Sequence, residues 1–223
     1  MNEKNQIDPL DALLSGMGMN QTEQIEDEEK PKRVMSAKTK SKRLLRRATS
    51  EIALLDALPR DFEEGCAYHV ITQGDVDALS YLKAIMRAQP LDYLLFSTWC
   101  MADDDCDWIG EQLDKGDLKK VDAYLGEIFP KSYSGPYQNL QKIWSKHRCG
   151  RLCVFRNHSK IFAGQGPKFA FVVEMSCNIN TNPRTEQGVI TIDKSLFNFY
   201  KEWFDGVNSF TKADEYYEQT TKD

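Results

Sequence analysis

The chain contains no apolar run approaching the ~20 residues that a membrane-crossing helix needs. Its opening residues, Met1 to Lys4, begin no apolar secretory leader, so the expectation is a cytoplasmic protein with no membrane partner. It also lacks a glycine-rich phosphate loop, a Gly-x-Ser-x-Gly elbow and a pair of histidines at metal-ligand spacing. Those absences remove the sequence marks of nucleotide-cradling loops, of serine hydrolases built on that elbow and of zinc hydrolases. Histidine is scarce: imidazole chemistry must fall on His69, His147 or His158. The closest cysteine pairs, Cys100/Cys106 and Cys149/Cys153, lack the two-residue spacing of a zinc knuckle. The six thiols therefore read as reduced, buried small hydrophobes, with no metal and no cofactor expected.

What is present is room for one ordered domain and a strongly uneven distribution of charge. The 223 residues are 41% hydrophobic and carry a formal net charge of -5. An acidic run, Glu26 to Glu29, precedes an acid-free basic stretch holding Lys38, Lys40, Lys42, Arg43, Arg46 and Arg47. Blocks of like charge resist packing and form solvated tails. The stretch reads either as an arm that neutralises the phosphates of DNA or RNA, or as a plain linker whose two halves pair. The expected organisation is a mostly disordered charged arm over residues 1–59, one domain over 60–210, and a polar tail over 211–223. Ser50, before Glu51 and a leucine-bearing periodicity, reads as the N-cap of a short helix closing the arm.

Periodicity predicts strands at Ala67–Thr72, Asp92–Thr98, Val121–Leu125, Leu152–Phe155, Lys160–Ala163, Phe169–Met175 and Val189–Ile192. Most are continuous apolar runs, the pattern of strands covered on both faces. Helices are expected at Val76–Ala88 (with Gly74 and Asp75 as turn and cap), Asp104–Lys115, Tyr137–Lys146 and Leu196–Phe204. The fold class is therefore α/β: a mixed, largely parallel sheet flanked by helices, the first strand, helix and strand forming a βαβ unit. Asp103, Asp104, Asp105 and Asp107 suit magnesium as carboxylates. Their place at a helix start favours capping and dipole compensation instead. The aromatic Leu196–Phe204 segment reads most simply as a helix packed on the sheet, with base stacking as the alternative.

The chemistry-bearing residues gather between Asn157 and Ile192. His158 and Lys160, two apart in an extended segment, point to one side, and Ser176 and Asn178 do so at the end of the next long strand. Asn180, an Asn182-Pro183-Arg184 turn and Glu186 follow. An imidazole can attack phosphorus as a nucleophile, while an ammonium and an amide supply charge and N–H donors to the non-bridging oxygens. Glu186 can fix the tautomer of His158.

This order of residues resembles the His-Lys-Asp motif of the phospholipase D superfamily, and is most similar to its small nucleases and phosphodiesterases with one motif per chain. The resemblance spans roughly residues 68–208, with its specific positions between His158 and Glu186. It implies a phospholipase D-like fold, a phospho-histidine intermediate on His158, phosphate binding by Lys160 and Asn178, and Glu186 orienting the histidine. Ser176, Asn180 and Arg184 are then candidate substrate contacts. The chain departs from the motif at Gln165, where the aspartate is expected, and at Met175, where a glycine precedes the serine. One motif per chain implies a homodimer in which two copies of His158 meet. The function expected is a metal-independent nuclease, with DNA ahead of RNA as substrate. An inactive relative that binds nucleic acid or a protein is the alternative. Action on phospholipid headgroups ranks last, since no membrane-surface helix stands out.

Overall fold

The structure, a computed structural model, describes residues 42–180, 183–211 and 215–216, and describes side chains from Thr49 onward, those of 215–216 excepted. Lys38, Lys40, the acidic run, Asn182 and most of the expected polar tail lie outside the described residues. Lys42, Arg43, Arg46 and Arg47 are described only as backbone positions of a helix.

That helix, α1 (Lys42–Ala57), runs well upstream of the expected start, so Ser50 lies inside it and is not its cap. Its apolar stripe explains the correction: Leu54 and Leu58 are buried in the main core, and Glu51 forms an ion pair at 2.6 Å with Lys83. A helix anchored by tertiary packing continues past a local capping signal. After β1 (Ala67–Thr72) comes α2 (Ala78–Ala88), capped by Asp77, which accepts from the backbone N–H of Ser80 at 3.2 Å. The cap was expected at Asp75, which instead takes a left-handed turn conformation with φ 59°.

Strand β2 (Tyr93–Thr98) leads into α3 (Asp103–Lys115), whose first turn holds Asp103, Asp104 and Asp105 and whose C-cap is Gly116 at φ 76°. The aspartates thus start the helix, as the dipole favours, and Asp105 accepts from Ala102 N–H. Next come β3 (Val121–Gly126), the single turn α4 (Phe129–Ser132), α5 (Ser134–His147) and β4 (Gly150–Phe155). Strands β5 (Ile161–Gln165) and β6 (Ala170–Met175) form the antiparallel hairpin expected around Gly164, Gly166 and Pro167. The chain closes with β7 (Glu186–Thr191), α6 (Lys194–Asp205) and the two-residue β8 (Glu215–Tyr216).

These strands make one mixed sheet in the order β1-β7-β6-β5-β2-β3-β4-β8. The α/β class holds, with helices on both faces, but the sheet is not largely parallel: only β2–β3 and β3–β4 pair that way among the described residues. Connections too short to carry the chain back along a strand, such as the β5–β6 turn, allow only antiparallel pairing. The expected βαβ unit is also opened up, because β7, β6 and β5 lie between β1 and β2. One face of the sheet packs on α1, α2, α3 and α5 through residues such as Leu82, Ile109 and Trp144. The other carries, among the described residues, α6 alone, seated by Phe197 and Phe204. Leu196–Phe204 is a helix packed on the sheet as expected, with Phe199 and Trp203 on its outer side, 59% and 55% exposed.

The connection from β4 to β5 positions the rest. Strand β5 lies beyond β3 and β2 from β4, three strand spacings or about 14 Å away. Only residues 156–160 bridge that gap, and an extended chain of this length reaches about 20 Å. The segment is therefore long enough to cross the carboxyl ends of β3 and β2, with little chain to spare for a detour. Replacing Leu54 with alanine should lower the unfolding free energy by about 2–4 kcal/mol in urea titration, because a buried leucine leaves a cavity. An unchanged midpoint would mean that α1 is not part of the packed body.

Candidate active site at the carboxyl ends of the central strands

The crossing segment is fastened by Asn157, which is 6% exposed. Its Nδ2 donates to Ser97 Oγ at 2.8 Å on β2 and to the carbonyl of Tyr124 at 3.0 Å on β3. Its Oδ1 accepts from the backbone N–H and the hydroxyl of Ser159, at 3.0 and 2.7 Å. Ser97 and Ser159 also share a hydrogen bond at 2.6 Å. With Ser159 tied inward, alternation turns His158 and Lys160 outward together. Lys160 Nζ lies 3.1 Å from His158 Nδ1 and also donates to the His158 carbonyl. The paired orientation expected from sequence is what the structure places there.

The second side comes from the β6–β7 connection. Ser176 Oγ donates to Glu186 Oε2 and accepts from Gln187 N–H at 3.0 Å, so serine and carboxylate form one unit. Asn178 Oδ1 accepts from the backbone N–H of Trp99 at 3.3 Å, and its own carbonyl accepts from Ala78 N–H at the start of α2. Nδ2 of Asn178 has no protein partner among the described residues, which leaves an amide donor for a ligand oxygen. Asn180 hydrogen-bonds the Cys100 thiol, and Arg184 lies exposed just before β7.

Between the two sides sits the turn after β2. The Trp99 ring meets the His158 ring edge-on, with centroids 5.5 Å apart. The indole needs Gly126 at the end of β3, since a Cβ there would stand 2.7 Å from Trp99 Cδ1. Thr98 Oγ1 holds this turn to the β6–β7 connection by accepting from Ile179 N–H at 3.3 Å. Trp99, Asn157 and Ser159 escaped the sequence reading because each acts through a neighbour. An asparagine directly before the His-x-Lys triplet was the one available sign.

Burial pushes the Lys160 ammonium below the ordinary lysine range, while nearby Glu186 acts in the opposite sense. Burial, followed by the Glu186 and Asp77 carboxylates, pushes the Cys177 thiol up to about 12. Burial also raises the Cys100 thiol. Neither cysteine is thus poised as a thiolate, and the imidazole on this surface is that of His158. Gln165 stands at the far end of β5 from Lys160, about 13–17 Å along the strand, where it accepts from Lys194 Nζ. Its difference from aspartate therefore does not touch the imidazole directly.

No protein-family profile and no curated protein matches the chain. Among solved structures, part of it is similar to phosphatidylserine synthase from Haemophilus influenzae Rd KW20, with 12% identity, a TM-score of 0.44, and coverage of 62% of this chain and 37% of that one. It is also similar to polyphosphate kinase from Porphyromonas gingivalis, with 15% identity, a TM-score of 0.37, and coverage of 75% of this chain and 25% of that one. The chain thus spans well under half the length of either structure.

Asn157→Ala strips hydrogen bonds from β2, β3 and Ser159 at once, and should cost about 2–3 kcal/mol of stability by urea denaturation. A loss under about 0.5 kcal/mol would mean that the crossing segment is held in some other way.

Proposed function

We propose that this chain is a metal-independent phosphodiesterase of the phospholipase D superfamily that cleaves nucleic acid, with DNA ahead of RNA, as a homodimer. The observation that carries the reading is the contact between Lys160 Nζ and His158 Nδ1, made by two side chains turned outward over the carboxyl ends of the strands. Ligand sites of open α/β sheets lie at that end of the strands. Lys160 and the Asn178 amide face the same surface as donors for non-bridging phosphate oxygens, with Ser176, Asn180 and Arg184 around them.

In the proposed reaction an imidazole nitrogen of His158 attacks phosphorus and forms a P–N bond as the bond to the leaving oxygen breaks. The protonated His158 of the second copy gives its proton to that oxygen. Water then attacks the phospho-histidine, losing a proton to the second imidazole, and the phosphomonoester leaves with both histidines restored. Lys160 and Asn178 stabilise the equatorial oxygens in both steps. Glu186, tied to Ser176, adds a negative charge that keeps Lys160 protonated.

The test is cleavage of single- and double-stranded DNA and of RNA in excess EDTA, on a sample of measured oligomeric state. Activity that survives the chelator and falls at least a thousandfold in His158→Ala is the expected result. Binding without cleavage in both proteins would favour the non-catalytic alternative, and headgroup release from phospholipid vesicles would reassign the substrate.

The pH profile gives a second expectation. Lys160 loses its proton at a lower pH than an ordinary lysine, so the basic limb of kcat/KM should begin to fall below pH 10.5. Lys160→Arg stays charged throughout and should move that limb upward. Coincident limbs in the two proteins would remove Lys160 from phosphate binding.

A further inference from the structure

A recess lies at the opposite end of the central strands from His158. It occupies about 540 Å³ between the amino ends of β2, β3 and β4 and the carboxyl end of α6. That volume is within the range of small-molecule sites. Six-residue strands separate it from the candidate active site by about 17–20 Å. Its lining is charged: Lys120, Arg148, Arg151 and Lys201 surround it, against Asp122 and Asp205. In a chain with a net charge of -5, this is a local reversal of sign.

These cations have different duties. Arg151, 8% exposed, donates through Nη2 to the Val207 carbonyl at 2.6 Å and so completes the end of α6. Lys201 pairs with Asp205 at 2.6 Å and lies over the Tyr93 ring at 4.9 Å. Lys120 and Arg148 are exposed and have no ion-pair partner among the described residues. Arg148 also takes the left-handed C-cap of α5 at φ 51°, a place where glycine is the relaxed choice. An arginine there accepts backbone strain and keeps a cation at the rim.

The floor is of another kind. Asp122 is 5% exposed, accepts from the Tyr93 hydroxyl at 2.5 Å and accepts from Arg151 N–H at 2.6 Å. Each carboxylate oxygen keeps a further lone pair for a ligand hydroxyl. Two unpaired cations at the mouth and a buried acceptor below match a molecule with a dianionic head and hydroxyl groups behind it.

We propose that this recess binds a small phosphate monoester bearing hydroxyl groups, its phosphate between Lys120 and Arg148 and its hydroxyls donating to Asp122. A nucleoside monophosphate and a sugar phosphate share that chemistry. The site stands apart from His158, and its ligand does not depend on the reaction proposed there.

Calorimetric titration of the full chain with adenosine 5′-monophosphate, ribose 5-phosphate and adenosine separates these sources. Binding of both phosphates supports the shared chemistry, and binding of one alone identifies the source. Adenosine, without a phosphate, should not bind. The double variant Lys120→Glu/Arg148→Glu should weaken phosphate-ester binding at least tenfold, while His158→Ala leaves it unchanged. In the wild-type protein, amide shifts on titration should centre on Tyr93, Gly150 and Val207 and spare Trp99 and Ser159, a readout that needs no variant to fold. Failure of both esters to bind at millimolar concentration, adenosine binding as tightly as its phosphate, or shifts centred on the His158 segment would overturn the assignment.

Discussion

The side-chain amide of Asn157 is the constraint on which the rest of the candidate site depends. It belongs to the short segment that crosses two strand ends; its Nδ2 joins that segment to β2 and β3, and its Oδ1 holds Ser159 within the segment. A buried amide with only part of its bonds made would be costly, so the network holds as a unit. Fastening Ser159 inward leaves the two neighbouring side chains no choice of side. The proximity of imidazole and ammonium follows from the topology of the sheet and from one asparagine.

The remaining groups reach the same surface by a different route. Strands β6 and β7 bring Ser176, Asn178 and Glu186 to the carboxyl end of the parallel strands, and Thr98 and Trp99 stitch that connection to β2. The parallel half of the sheet thus supplies one part of the constellation and the antiparallel half the other. The indole of Trp99 lies against the imidazole between them, and Gly126 gives it room. At the opposite end the same strands begin around a recess with its own charge pattern. The two ends of the parallel strands therefore carry different chemistry on one scaffold.

Much of this architecture was legible because the strands of the interior announce themselves. The runs that became β2 and β6 are largely apolar without alternation, β3 is a weaker signal because it carries Asp122, and the Gly164–Pro167 stretch marks its hairpin. The outward pairing of His158 with Lys160 followed from two-residue alternation alone. Strand order did not, because three strands inserted between β1 and β2 belong to chain that comes much later. The start of α1 was hidden for a related reason: Ser50 is a good local cap, and only packing of Leu54 and Leu58 on the core overrides it. Phe199 and Trp203 share a helix with the buried Phe197 and Phe204, and which pair faces the sheet depends on how α6 crosses it.

The central claim is that the crossing segment presents His158 as a nucleophile to phosphorus. The most direct measurement is rapid quenching of the protein with a phosphodiester substrate at alkaline pH, followed by mass spectrometry of the peptide that contains residues 156–160. The account predicts an acid-labile phosphoryl adduct on His158 that appears and decays within turnover. Continued cleavage with that peptide unmodified, or an adduct on another residue, would contradict it.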